Sequence, residues 1–290
     1  MQKNILITGA TGFIGEHTAH YLSKSGYRVF ALVRPESDIS YLDPNIEIYR
    51  HDGSIENLAQ YMKQENIDAV VHIASMFVAE HSTNQVAKLV DSNIGFGTEL
   101  LQAMAISSVR NFINTSSTWQ HFDHLSPRYC PTNLYAATKE AFEKIVDYYV
   151  EVQGFRAITL SIFDSYGPGD RRGKLISLLE KFASEQTELN MSAGEQEIGL
   201  VHIDDIVRGY DTALQQVVES NEHRHYVLSP IEVYTLREVV ELFERQSGKR
   251  LNINWGVRPY RTREVMKVWQ CGTRLPNWQS QITLEEGLCR

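Results

Sequence analysis

Three glycines spaced three residues apart near the start of the chain, Gly9-Ala-Thr-Gly12-Phe-Ile-Gly15, restrict the possible folds more than any other feature. They follow the β-branched run Ile5-Leu-Ile-Thr8 and open an amphipathic stretch from Phe13 to Ser25, so they form a turn from a strand into a helix. In that context the first glycine permits a tight turn. The second lets the backbone approach an anionic group at the helix N-terminus, and the third lets helix and strand pack closely. The turn therefore predicts a dinucleotide site, with Gly9, Thr11, Gly12, Phe13, Ile14 and Gly15 around the pyrophosphate. Outside a βαβ unit the same triplet would be a surface turn.

The rest of the pattern supplies that unit. Short apolar runs at Ile5–Thr8, Arg28–Val33, Glu47–His51, Ala69–Ile73, Asn111–Thr115 and Ala157–Ile162 read as strands. Helical patterns lie between them at Phe13–Ser25, Ile55–Glu65, Thr83–Ser107 and Leu134–Gln153. Alternating strands and helices predict an α/β fold with a doubly wound, Rossmann-type parallel sheet and right-handed crossovers. From about Gly167 the pattern loosens into a Gly/Pro/Arg-rich loop and short strands near Glu188–Met191, Leu200–Ile203 and Tyr226–Leu228. Residues 1–166 are expected to form the dinucleotide-binding domain with the catalytic residues. Residues 167–290 should form mainly a smaller α/β substrate lobe, with some segments returning to the sheet.

Composition narrows the partners. The 290 residues carry 36 acidic and 28 basic side chains, a formal net charge of −8, without a long like-charge run. This argues against nucleic acid or an anionic membrane surface as partner. No apolar run approaches the roughly 20 residues of a membrane span. Cys130, Cys271 and Cys289 are odd in number and far apart, which suggests neither a disulfide framework nor a zinc site. A reducing, cytoplasmic setting is expected.

The second strand ends Ala31-Leu-Val-Arg34, where an NAD-preferring site would offer a carboxylate to the adenine ribose. A guanidinium there suits a 2′-phosphate and favours NADP(H) over NAD(H), unless Arg34 is only a solvated arginine. Asp52, followed by Gly53, could meet the adenine amino group or cap the helix near Ile55. Tyr135-Ala-Ala-Thr-Lys139 places a phenol and an ammonium one helical turn apart on one face. A nearby cation favours tyrosinate, so the pair suits proton donation to a carbonyl. A third hydroxyl should come from Thr115-Ser116-Ser117-Thr118. Alternation along the strand favours Ser117, with Ser116 second.

Gly9-xx-Gly12-xx-Gly15, Tyr135-xxx-Lys139, Ser117, His72-Ile-Ala-Ser75, Asn93 and Tyr166-Gly-Pro together resemble the extended short-chain dehydrogenase/reductase family over nearly the whole chain. The resemblance implies NAD(P) in the first lobe and often a nucleoside-diphosphate sugar in the second. It makes Tyr135 the acid/base, Lys139 the group that orients the nicotinamide ribose and lowers the tyrosine's pKa, and Ser117 the holder of the substrate oxygen. Ala74, Ser75, Asn93, Thr115, Phe163 and Ser165 are expected near the cofactor. The family's 4,6-dehydratases carry Asp-Glu after the strand hydroxyl, and this chain has Thr118-Trp119, which argues against dehydration.

The segments Tyr166-Gly-Pro-Gly-Asp170, Lys174, Gly194-Glu-Gln196 and His202-Ile-Asp204-Asp205 are similar to the abequose and paratose synthase type of reductase. That likeness implies NADPH-dependent reduction of the 4-keto group of a CDP- or dTDP-linked 4-keto-6-deoxyhexose. The alternatives are an NAD-dependent 4-epimerase or sugar dehydrogenase, and a non-catalytic NADP-sensing scaffold. Ile198-Gly199 stands where the family usually has Arg-Asp, which removes a usual phosphate contact, and Ser161 stands where the family has arginine. Ser116, Ser117, Thr118, Trp119, Lys174, Arg258 and Arg261 are the expected substrate residues, with Arg171, Arg172 and Arg263 as further charge. Gln120, His121 and Phe122 could line a sugar pocket or be plain loop packing. His72 reads as a core histidine, and Asp204 and Asp205 as helix caps. A homodimer through a four-helix bundle of Thr83–Ser107 and Leu134–Gln153 is also implied.

Overall fold

The computed structural model describes residues 2–289. Its first half lays down β1 (Asn4–Thr8), α1 (Phe13–Lys24), β2 (Arg28–Val33), β3 (Glu47–Arg50), α2 (Ile55–Gln64) and β4 (Ala69–His72). Then come α3 (Val86–Val90), α4 (Phe96–Ser107), β5 (Asn111–Ser117), α5 (Leu134–Gln153) and β6 (Arg156–Ile162). The second half contributes β7 (Asp164–Tyr166), α6 (Leu175–Glu185), β8 (Glu188–Asn190), β9 (Glu197–His202) and α7 (Ile203–Gln216). It ends with β10 (His223–Leu228), β11 (Val233–Thr235), α8 (Leu236–Ser247), β12 (Asn252–Asn254) and α9 (Leu284–Gly287).

Seven strands form one parallel sheet in the order β10-β6-β5-β4-β1-β2-β3. Strand order reverses at β1, which pairs with β2 on one side and β4 on the other. That is the position at which open α/β sheets form a ligand crevice. Side chains alternate across β1, so Ile5 and Ile7 join the core under α1 and α7, whereas Leu6 joins the core under α2, α4 and α5. Both faces are thus covered, which explains the near-continuous apolar runs of these strands. Burying each large side chain there, such as Phe30, Phe112 or Phe142, contributes about 1.5–3 kcal/mol.

The sixth expected strand begins one residue earlier, and β5 runs on to Ser117, two residues past the expected end. The long helix expected over Thr83–Ser107 is not uniform. A 3-10 turn at Thr83–Gln85 leads into α3, and the segment Asp91–Gly95 widens into a π turn before α4. The cause is Asn93, whose side chain is buried and takes up hydrogen bonds to Met76 and Thr138 instead of facing solvent.

Beyond β7 the chain builds two small sheets, β11-β9-β7 and β12-β8, over a separate apolar cluster that includes Leu179, Val239 and Phe243. One segment returns to the main sheet: β10, longer than the expected Tyr226–Leu228, pairs in parallel with β6. Asp204 and Asp205 were expected to cap α7, but the cap is the His202 ring, whose Nδ1 accepts from Asp204 N at 3.2 Å. Asp205 is fully buried and accepts from Gln281 N, Ile282 N and the Arg208 guanidinium. Its work is to pin the C-terminal segment to the fold.

Candidate active site

The glycine turn is a steric requirement. Gly9 has φ +74°, and a Cβ there would lie 2.6 Å from Ala74 N. A Cβ on Gly15 would lie 2.0 Å from Gly9 O, so this position must also be glycine for the helix to start against the turn. Gly12 is the N-cap of α1 and supplies no capping side chain, which leaves amide donors of the first helical turn for an anion. A backbone cradle that any Cβ would fill, at the switch point of the sheet, fits a dinucleotide pyrophosphate.

The Gly/Arg-rich loop after β7 packs onto this turn. Arg172 lies 4.3 Å over the Phe13 ring and donates to Ser165 Oγ and to Asp170. Arg171 pairs with Glu16 at 2.9 Å and lies over Tyr41, whose hydroxyl donates to Thr11 O at 2.8 Å. Both arginines therefore face the dinucleotide turn, which corrects their expected place as extra charge for the substrate. Arg34 is exposed, with Glu36 at 3.4 Å as its ion-pair neighbour. Asp52 does not cap α2. Ser54 does, while Asp52 accepts from Ser54 N and from Asn57 Nδ2. Those hydrogen bonds hold its carboxyl below the usual range.

Tyr135 and Lys139 are both buried in the first turns of α5, a helix capped by the Asn133 side chain and closed by Gly154 in left-handed geometry. The Ser75 and Ser117 hydroxyls lie near enough to the Tyr135 phenol to favour its charged form, so the segments at the ends of β4 and β5 converge on it. Burial pushes this phenol up to about 12, and the two serine hydroxyls partly oppose the rise. Burial also lowers Lys139 to about 8, against the pull of Glu143. Lys139 Nζ donates to Thr115 O at 2.9 Å. Its ammonium is held by the β5 backbone.

Strand alternation separates the two candidate serines. Ser117 points to Tyr135, while Ser116 Oγ donates to Glu143 and lies 2.8 Å from Gln120 Oε1 on the other side. Ser116 is thereby removed from the expected substrate contacts. Glu143, a buried carboxylate that the sequence did not bring forward, is raised by burial, but hydrogen bonds from His225, Ser116 and Gln120 carry it below the usual range. Its signal was available: one turn beyond Lys139, a charge on the same helix face must be buried and therefore paired. His72 is a core histidine bonded to Thr8 Oγ1 at 2.8 Å, and burial lowers it to about 3.

Beside Tyr135 lies a cleft of about 420 Å³, in the size range of small-molecule sites. Thr118, Trp119, His121, Phe163 and Arg261 line it, and so do Ile198 and Gly199. Arg261 lies 5.3 Å over Trp119 and is held by Glu264. His121 stacks on Trp269 at 3.8 Å and 9°. Phe77, missed in the sequence, meets Tyr135 and Trp119 edge-on at 5.0 and 5.4 Å. A bulky aromatic in the loop just after β4, at the ligand-binding edge of the sheet, was the available clue. Lys174 caps Phe77 at 4.2 Å and pairs with Asp164, and Arg258 is exposed and does not line the cleft. Arg263 lies over Phe122. Of the expected cofactor residues, Ser165 holds Arg172, the Thr115 hydroxyl bonds Tyr210, and Asn93 ties the loop at Met76 to Thr138. Asn93 is thus a buried brace, displaced from the expected contact.

The sequence model of the NAD-dependent epimerase/dehydratase family matches residues 5–229, which include the glycine turn, Ser117, Tyr135 and Lys139. The chain belongs to that family. It is an NAD(P)-dependent enzyme, as the family match and the full-length similarity to catalytic relatives show. It is 29% identical to CDP-abequose synthase of Salmonella muenchen, over 99% of this chain and 96% of the relative. It is also 25% identical to UDP-glucuronate 4-epimerase of Thermodesulfobacterium geofontis, over 98% and 94%. The fold is similar to that of UDP-glucose 4-epimerase from Stenotrophomonas maltophila, solved with NAD and a formylated UDP-arabinopyranose. The TM-score is 0.87 at 22% identity, covering 100% of this chain and 96% of that one. Among the described residues, no helix of this epimerase/dehydratase-family chain is long and apolar enough to cross a membrane.

Proposed function

We propose that this enzyme uses NADPH to reduce the 4-keto group of a nucleoside-diphosphate 4-keto-6-deoxyhexose, CDP- or dTDP-linked, in the making of a deoxy sugar for a surface polysaccharide. The observation that carries the reading is the buried Tyr135 phenol, with Ser75 and Ser117 beside it, between a glycine cradle and an aromatic-walled cleft. Ser117 and Tyr135 donate to the ketone oxygen and align it. When bound, the nicotinamide supplies the hydride to the carbonyl carbon. Tyr135 then gives its proton to the alkoxide oxygen, and Lys139 stabilises the tyrosinate. Gly9, Gly12 and Gly15 hold the pyrophosphate, and the solvent-facing guanidinium of Arg34 supports the choice of NADP(H).

Arg261 and Trp119 take the nucleotide-sugar end, where Ile198 and Gly199 leave no cation. The three cysteines are free thiols, which supports a cytoplasmic setting. Val86 and Val90 on α3 and Tyr148 and Val152 on α5 are exposed at i, i+4 spacing, which supports dimerisation by a four-helix bundle. Absorbance at the reduced-nicotinamide band tests the reading. Purified protein with a panel of CDP-, dTDP-, GDP- and UDP-4-keto-6-deoxyhexoses should oxidise NADPH, faster than NADH, with one of them. Cofactor binding without oxidation across the panel would replace it with 4-epimerisation.

A further inference from the structure

Away from the candidate active site, α5 and the edge strand β10 bring four ligand-type side chains together. His223 and His225 project from one face of β10, and Glu143 and Asp147 lie one turn apart on the helix face against it. Ligand atoms of Asp147, His223 and His225 all lie within 4.8 Å of one another. His223 Nδ1 is 2.6 Å from Asp147 Oδ1, and His225 Nδ1 is 3.3 Å from Glu143 Oε2. The two imidazoles face each other with centroids 4.0 Å apart.

We propose that this cluster is a binding site for a divalent transition metal of the zinc class, with Asp147, His223 and His225 as ligands and Glu143 beside His225 as a neighbouring carboxylate. The atoms around it are arranged as such a site needs. His223 Nε2 is bonded to the buried Thr159 Oγ1 at 2.7 Å, an outer contact that fixes the ring with Nδ1 toward the cluster. One Glu143 oxygen is held by Ser116 and Gln120, and the other faces His225 Nδ1. Lys144 takes Asp147 Oδ2 at 3.2 Å, so Asp147 offers Oδ1 alone. Glu140, which bonds Gln120 and pairs with Lys144, and Lys139, on which Glu143 pulls, complete the charged groups facing the cluster.

Three carboxylates against two lysines leave the cluster net negative. His225 is exposed and gives the ion an entry path. A tetrahedral ion holds its ligand atoms about 3.3 Å apart, so the Asp147–His223 contact opens by a fraction of an ångström on binding. Two imidazoles with one carboxylate select zinc-class ions over magnesium or calcium, which favour all-oxygen shells. The pattern evades a search along the sequence because its helix and strand members lie 76 residues apart.

The site is independent of the reaction proposed above, and its test does not use turnover. Tag-free full-length protein, stripped with a chelator, is titrated calorimetrically with ZnCl2 and, separately, MgCl2. One equivalent of zinc should bind, magnesium should not, and excess zinc should raise Tm by about 5 °C. His225→Ala, at an exposed position, and the near-isosteric Asp147→Asn should each weaken zinc binding about 100-fold and abolish the Tm rise. His124→Ala should change neither. Absence of zinc binding, or the same affinity in both variants as in the unaltered chain, would overturn the proposal and leave the two His–carboxylate contacts as ion pairs alone.

Discussion

The cofactor turn and the cleft beside Tyr135 share one sheet edge but are made of different material. The turn is backbone: Gly9 and Gly15 are fixed because a single carbon more would collide with Ala74 or with Gly9 itself. The cleft is side chain: Trp119 under Arg261, His121 on Trp269, and Phe77 against Tyr135 each pair residues from segments far apart in the chain. A backbone site tolerates almost no substitution and so leaves a plain signature. A side-chain site can be rebuilt with different residues at each position, which is how one fold serves many substrates.

The largest effect should come from the backbone half. Gly15→Val should abolish NADPH binding in a fluorescence titration or prevent folding as seen by circular dichroism, and near-normal affinity would break the contrast. At the junction, Tyr135→Phe should lower kcat about 10²–10⁴-fold while cofactor affinity stays unchanged, because only the transferable proton is lost. Lys139 should impose a pH limb. It is charged below about 8 and neutral above, so cofactor affinity should fall as pH rises through that value, and Lys139→Met should flatten the curve.

The same shift has a stability sign. The unfolded chain retains the lysine's proton up to about 10.5, so between about 8 and 10.5 the unfolded state binds more protons and this group's contribution to stability rises with pH. Arg34→Ala should weaken NADPH about 10-fold, the worth of one charge-assisted contact, and leave NADH unaffected. In the cleft, Arg261→Ala should raise KM by less than about 10-fold with kcat nearly constant, since Glu264 already shares its charge. A loss in kcat as large as that of Tyr135→Phe would show that the cleft also positions the reacting groups.

Much of the first half was legible. The strands from Ile5 to Ile162 fall within two residues of their expected ends, because a parallel sheet covered on both faces leaves uninterrupted apolar runs. The helix before β5 was read as one piece because the π turn at Asp91–Gly95 depends on a buried contact of Asn93 with residues 17 and 45 positions away. Ser116 and Ser117 looked nearly equivalent in sequence, and alternation alone ranked them. The reason Ser116 is withdrawn, Glu143 arriving from α5, lay outside any local pattern. Asp205 was misjudged similarly: its first-turn position suggested a cap, whereas its partners are Gln281 and Ile282, 76 and 77 residues further on.

By itself the sequence determined the parallel α/β sheet, the dinucleotide turn and the Tyr135–Lys139 pair, because period, glycine sterics and one helical turn are local properties of the chain. Tertiary structure decided which hydroxyl meets the phenol, that Arg171 and Arg172 lie over the turn, and that Lys139 rests on Thr115 O. It also decided that two histidines and two carboxylates meet at β10 and α5. These contacts follow from burial, which forces every enclosed polar atom to find whichever partner the packed chain brings within reach.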